Sequence, residues 1–240
     1  MIESGFPMRI NKYLAHKNYA TRRGADELIS AGNVYINGKK AILGDIVYEK
    51  DEVSLKGVEA TEYAYYAYYK PVGVLSVGGT AEEPGIEERA KFPERVFPLG
   101  RLDKDSEGLI LMTNDGRLTD KLLNPDNDHE KEYLVSVSPE ITHSFLVKMG
   151  LGIKLDGYKT KKAKIMRVDK HSFQIILTEG KNRQIRKMCG SLGYKVMKLK
   201  RIRVMNIELG KLKPNQFKKI AGTELKTLFK QLGSFVYIVN

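Results

Sequence analysis

The 240-residue sequence predicts an α+β protein in two parts. A compact unit over residues 8–56 carries the signals of two small helices and a hairpin. From Tyr63 to about Leu232, strand and helix signals alternate within one larger domain, whose adjacent strands are expected to pair antiparallel. The length suffices to bury at least one substantial core.

In the first unit, Ile10, Tyr13 and Leu14 fall at helical spacing, and Asn18-Tyr19-Ala20 breaks the pattern. Thr21 can then cap a second helix, Arg22 to Ala31, with Ala25, Leu28 and Ile29 on one face. Gly32 stands where a helix stops in left-handed backbone. Val34-Tyr35-Ile36 runs into Asn37-Gly38, a tight-turn dipeptide, and further short strands end near Leu55. Residues 57–62 read as a linker. In the larger domain, 63–232, the aromatic stretch Tyr63 to Tyr69 is extended until Pro71 stops it. Further strands are expected over 109–113, 132–137, 163–168, 173–177 and 203–209, and helices over 118–123, 141–150, 184–192 and 224–232. Residues 233–240 form a C-terminal tail, in which Ser234 to Val239 is either an edge strand or a loose apolar end.

Lys and Arg number 41 against 29 Asp and Glu, a formal charge of +12 that favours a polyanionic partner. Its distribution narrows the choice. Nine basic residues and no acidic one lie between Lys181 and Arg203, with a second cluster at Lys159, Lys161, Lys162 and Lys164. Neither segment has the clean apolar face of a membrane-lying helix, and no apolar run approaches the roughly 18–20 residues that span a bilayer. The first residues lack the regions of a signal peptide, so a cytoplasmic protein with no membrane partner is expected. A single cysteine, Cys189, excludes an internal disulfide and a cysteine-based zinc cluster.

Phosphate-cradling glycine motifs are absent, and His16, His129, His143 and His171 share no ligand spacing. Nucleotide and zinc chemistry lose support. The sharpest local feature is Gly100-Arg-Leu-Asp-Lys-Asp-Ser-Glu-Gly108. Its carboxylates imitate the opening of an EF-hand loop, but the twelfth position is Asn114 instead of a bidentate Glu, and a strand is expected from Leu109. The calcium reading fails. On this stretch alone, a plain surface turn remains the other reading.

The segment Gly100 to Gly116 resembles the active-site segment of the RsuA/RluB/RluF branch of pseudouridine synthases. Lys70-Pro71-Val72-Gly73 resembles that branch's lysine–proline motif, Lys131-Glu-Tyr-Leu-Val135 its tyrosine motif, and Glu179 to Met188 its basic motif. All occur in order, and residues 8–56 resemble the S4 RNA-binding module. His129 to Val135, Thr160-Lys-Lys162 and Arg201 to Asn206 are most similar to RluF-type members.

The resemblance implies an S4 (αL-like) domain followed by a catalytic domain on a mixed, largely antiparallel sheet flanked by helices. It also implies isomerisation of a specific uridine to pseudouridine in 23S rRNA, with tRNA as a further RNA it admits. No metal and no cofactor are expected, and the chain is expected to be a monomer. By motif position Asp103 is the catalytic carboxylate, Arg186 the guanidinium that pairs with it, and Tyr133 the ring under the flipped uracil. Leu199 and Arg101 belong to the pocket. Whether Asp103 attacks the sugar, attacks the base or removes a sugar proton stays open.

Those residue types suit the chemistry. A neighbouring cation lowers a carboxylate's pKa by about 1–3 units, the target base must leave the stack, and base–aromatic stacking is worth about 1–3 kcal/mol. RNA contacts are expected from Arg9, Lys12, Arg22, Arg23 and Lys39, and from Lys181, Asn182, Arg183 and Lys187. Two rival readings are a non-catalytic S4-type RNA-binding or ribosome-assembly factor and a nucleoside hydrolase. Asp103, Tyr133 and Arg186 at matching motif positions argue against the first, and the extended basic surface against the second.

Overall fold

The computed structural model describes residues 5–58, 62–80, 82–155 and 157–233. Two compact units emerge: the chain up to Ala64 together with 114–117, and 65–113 together with 118 onward.

The first unit contains β1 (Met8–Arg9), α1 (Ile10–His16), α2 (Arg22–Ser30), β2 (Val34–Ile36), β3 (Lys39–Lys40), β4 (Ile46–Val47) and β5 (Val53–Leu55). Helix α1 ends before Asn18, which is left-handed at φ 58°. Thr21 accepts a hydrogen bond from the Gly24 amide at 3.1 Å and so caps α2, as the sequence predicts. Asn37 and Gly38 both take positive φ and turn β2 back into β3. Ile10, Leu14, Ala25, Ile29, Val34 and Val47 meet in a small core, so burial of one face of each helix holds this unit together.

The second unit contains β6 (Tyr65–Lys70), α3 (Ile86–Arg89), β7 (Phe97–Leu99), β8 (Glu107–Thr113), α4 (Arg117–Leu123, all but its first residue) and β9 (Lys131–Ser138). It continues through α5 (His143–Leu151), β10 (Lys154–Leu155), β11 (Tyr158–Lys159), β12 (Lys164–Arg167), β13 (Ser172–Leu177) and α6 (Gln184–Ser191). The last elements are β14 (Lys195–Val204), β15 (Ile207–Glu208), β16 (Phe217–Lys219) and α7 (Gly222–Gln231). Its main sheet has the order β12-β13-β9-β14-β8-β6-β16. Strand pairs are antiparallel except β14 with β8, so the sheet is mixed and largely antiparallel, as expected.

Period-two patterning explains the outer strands. Phe173, Ile175 and Leu177 of β13 are buried while Ser172, Gln174 and Ile176 are half-buried. Helices α5 and α6 cover that face, setting Phe145, Met149 and Met188 against Val135, Phe173 and Ile175. Strand β6, between β8 and the edge strand β16, is buried at every residue.

The expected strand over 203–209 is corrected. Strand β14 starts at Lys195, and left-handed Met205 (φ 51°) turns it back into β15. Two register shifts in β14, at Val196/Lys198 and Arg201/Arg203, break the alternation that would have marked it. Where β14 runs beside β8, Gly108 has φ +110°, and a Cβ there would lie 2.2 Å from the Arg201 carbonyl oxygen. No side chain fits. Residues 59–61 of the expected linker, and Ser234 to Val239, lie outside the described residues.

Candidate active site

Asp103 sits on the connection from β7 to β8, in a turn closed by the Ser106 amide on the Asp103 carbonyl at 3.0 Å. The turn is clamped from behind. The Ser76 hydroxyl donates to the Leu102 carbonyl at 2.7 Å and accepts from the Leu102 amide at 2.9 Å. The Gly73 amide donates to the Lys104 carbonyl at 2.7 Å. Residues 71–76 are in turn organised by Lys70. It is fully buried, and its Nζ donates to the carbonyls of Pro71 (2.9 Å) and Val74 (2.8 Å). Burial drives the Lys70 pKa down from 10.5 to about 8, against the opposing pull of Asp103 and Asp105. The lysine–proline motif thus shapes the segment that holds the aspartate.

Asp103 borders a cavity of about 360 Å³, within the roughly 300–1,000 Å³ of small-ligand pockets. One wall is the face of β9 and β14, where Tyr133 stands opposite Arg201 and Leu199 opposite Val135. Arg101 and the segment carrying Lys181, Asn182 and Arg183 line it too. That segment is held by a buried polar pair. Gln184 Nε2 donates to Glu179 Oε1 at 2.6 Å, and Gln184 Oε1 accepts from the Lys181 amide at 3.0 Å. Arg101, Lys181, Asn182 and Arg183 are exposed, whereas Tyr133 and Leu199 are buried.

The implied Arg186–Asp103 pair is corrected. Arg186 meets Asp105 instead: Nε lies 3.3 Å from Asp105 Oδ2. Its Nη2 donates to the Asp105 carbonyl at 2.8 Å and to Ser106 Oγ at 3.3 Å. The guanidinium near Asp103 is that of Arg183, 3.8 Å from Oδ2. Arg183 also grips Asp105 with two bonds of 3.0 and 2.9 Å, which hold the Asp105 carboxyl below its ordinary pKa. Arg183 is left-handed (φ 51°) at the entry to α6, and its side chain reaches the 103–105 turn; Arg186, further along the helix, is taken up by the turn's backbone.

Lys187 is exposed but outside the cavity. In the first unit Arg9, Arg22, Arg23 and Lys39 are exposed and Lys12 is half-buried. None of these five makes an ion pair among the described residues.

Sequence reasoning passed over two cavity residues, Lys131 and Arg201. Arg201 is 4% exposed, and the bond from its Nε to the Leu109 carbonyl at 2.6 Å is its one side-chain hydrogen bond among the described residues. The Lys131 ammonium donates to the His129 carbonyl at 3.2 Å. Neither has a carboxylate within ion-pair reach among the described residues. Nearby Arg203 is the opposite case. Arg201 pairs with Tyr133 but Arg203 with Glu132, because the register shift between them moves Arg203 to the other face. There it binds Glu132 at 2.7 Å and Glu130 at 3.0 Å. The available signals were the lysine opening the tyrosine motif and an arginine inside the basic run; each also reads as a phosphate contact.

A cavity of this size, with an aromatic ring in its wall and cations along its border, suits one nucleobase presented by a phosphate backbone; the fold and site define an RNA-modifying enzyme. The family model described as RNA pseudouridylate synthase matches residues 64–191, and the S4 domain model matches 8–53. The chain belongs to the RNA pseudouridylate synthase family and is an isomerase. It is 44% identical over 227 residues to the dual-specificity RNA pseudouridine synthase RluF of Salmonella typhi, covering 92% of this chain and 78% of the relative. It is 36% identical over 233 residues to the ribosomal large subunit pseudouridine synthase B of Bacillus subtilis (strain 168), covering 92% and 95%. A crystal structure of a pseudouridylate synthase superposes with a TM-score of 0.68 at 26% identity, over 94% of this chain and 99% of that one.

Proposed function

We propose that the enzyme isomerises a specific uridine of 23S rRNA, with Asp103 as the carboxylate acting at the sugar–base junction. Residues 8–56 grip the RNA through Arg9, Lys12, Arg22, Arg23 and Lys39, and residues 63–232 carry the reaction. The observation that carries this reading is that Asp103 and Tyr133 line the same cavity. The name of the Bacillus relative supports the large subunit as the source of substrate, and the words dual-specificity support a second RNA, for which we propose tRNA.

In the reaction the N1–C1′ bond breaks with its electron pair left on uracil. The base turns, C5 bonds to C1′, the C5 proton is released and N1 gains one. Reactant and product have the same composition, so no redox partner is consumed. Tyr133 supplies the stacking surface, Leu199 closes one side, and Arg101, Lys181, Asn182 and Arg183 hold the flanking backbone. Enclosure keeps the detached base in place and water out. Asp103 needs a fixed position more than a strong base: an error of about 1 Å in such a group costs about 10²-fold in rate. Ser76 and Gly73 supply that fixity, and Arg183 and Arg186 brace the turn through Asp105.

The test uses unmodified 23S rRNA fragments, scored by carbodiimide-dependent reverse-transcriptase stops. The wild-type protein should create a stop that Asp103→Asn does not. No stop on any rRNA would favour the non-catalytic binder, and a stop retained by Asp103→Asn would remove the aspartate from its role.

A further inference from the structure

We infer that Arg201 and Lys131 form a cationic wall that binds the carbonyl oxygens of the extruded uracil and stabilises the negative charge it carries once the N1–C1′ bond is broken. Both are catalytic residues on this view, and the inference rests on the proposed role of the cavity in uridine isomerisation.

The observation behind it is an imbalance of charge. A buried cation is costly unless paired or given a charged ligand. The second unit pairs its other half-buried arginines with carboxylates: Arg186 with Asp105, and Arg203 with Glu130 and Glu132. Arg201 is more deeply buried than either and has no such partner among the described residues. The cavity's two carboxylates do not relieve it: Asp103 faces Arg183, and Glu179 Oε1 is engaged by Gln184 and by the Lys161 amide. Lys131 on the adjacent strand adds a second positive charge. Its pKa is lowered, first by burial and then by the charge of Arg201, which places the two cations within electrostatic reach of each other.

Position separates a base-binding from a phosphate-binding role. Cations for a phosphate backbone belong where the strand can stay in solvent, and Arg101, Lys181 and Arg183 are exposed along the cavity. Arg201 and Lys131 belong to the sheet wall. Arg201 is directly across the strand pair from Tyr133, the proposed stacking ring, and Lys131 precedes Tyr133 by two residues, on the same face of β9. A ring stacked on Tyr133 presents its edge, and its O2 and O4, to the neighbours of that tyrosine. Any of the three routes open to Asp103 leaves an electron pair delocalised over those oxygens. Preorganised donors in a water-poor site act where such charge develops.

The test compares full-length wild type, Arg201→Met, Arg201→Lys and Lys131→Met on an RNA stem-loop bearing the mapped uridine, under single-turnover conditions at saturating RNA. Each is run again with 5-fluorouridine at the target, and loss of the N1–C1′ bond is followed by nucleoside chromatography. Fluorine itself stabilises the uracil anion, so the variants' deficit should shrink on that substrate. Arg201→Met should slow the uridine reaction by about 10²-fold, the scale of losing one preorganised donor, with RNA affinity nearly unchanged and Arg201→Lys partly restored. An unchanged rate overturns the inference. So does an equal deficit on both substrates, which marks a packing role, or a loss seen only in affinity and salt slope, which marks a phosphate-binding role. If Arg201→Met does not fold, Lys131→Met on the two substrates decides by the same criteria. Failure of the wild type to form pseudouridine would instead remove the underlying reading, and the inference with it.

Discussion

Residues 8–55 and the second unit use many of their carboxylates differently. In residues 8–55 aspartates take neutral donors: Asp45 accepts from the Ile42 amide at 2.9 Å, Asp51 from the Tyr48 amide at 2.7 Å and Asn37 Nδ2 at 2.8 Å, and Asp26 from Asn11 Nδ2 at 2.9 Å. Asp45 and Asp51 shape turns, and all three leave Arg9, Arg22, Arg23 and Lys39 without ion pairs among the described residues. In the second unit several acidic groups bind cations. Asp105 holds two arginines, Glu130 and Glu132 hold Arg203, and Asp128 holds Lys161 at 2.6 Å. A basic composition therefore describes two different surfaces. One keeps its charge available to an outside polyanion; the other commits much of it to fixing loops.

The sharpest way to break this contrast is to remove Arg9, Arg22, Arg23 and Lys39 together. With the four changed to alanine, the slope of log affinity against log salt should become shallower by about 0.7–0.9 for each phosphate no longer neutralised, and affinity should fall roughly a hundredfold near physiological salt. Thermal melting should not move; an unchanged salt slope would show these cations to be bystanders. Ser76→Ala tests whether neutral hydrogen bonds position Asp103. Single-turnover rate should drop about 10-fold or more while RNA affinity holds, and a normal rate would show the clamp to be dispensable. Arg203→Met should act on stability instead. It strands Glu132, leaves Glu130 with Lys164 alone, and should lower unfolding free energy in urea by about 1–3 kcal/mol, with the salt slope of RNA binding untouched.

The last expected effect belongs to Lys70 and shows only as a dependence on pH. Its pKa is lowered in the folded protein, to about 8 from 10.5, so between those values the unfolded chain binds more protons. Wild-type stability should therefore rise with pH through that window relative to Lys70→Met, because the cost of burying the ammonium is full below the window and gone above it. Parallel pH profiles for the two proteins would contradict the burial of a charged lysine.

Much of the fold was legible because local patterns agreed with their tertiary setting. Thr21, Asn37-Gly38 and the alternation in β13 each named an element by a short-range mechanism. Strand β14 was not legible over its first residues, since two register shifts erase its period and its lysines and arginines look like a solvated run. Asp103, Tyr133 and Leu199 were found from motif positions, and they line one cavity. Arg186 was placed on the wrong aspartate because Asp103 and Asp105 are two residues apart, and only the turn between them decides which faces α6. Arg201 and Lys131 escaped notice for a related reason. A cation's partner, or its lack of one, is set by strands that the sequence keeps apart.

Gly108 has a further consequence. The strand leaving the Asp103 turn passes so near Arg201 that a single methyl group at residue 108 would force the two apart. The width of the crevice between acid and cationic wall is thus gauged by a missing atom. A substitution there would reset the spacing between the Asp103 turn and Arg201 without altering any residue proposed to touch RNA.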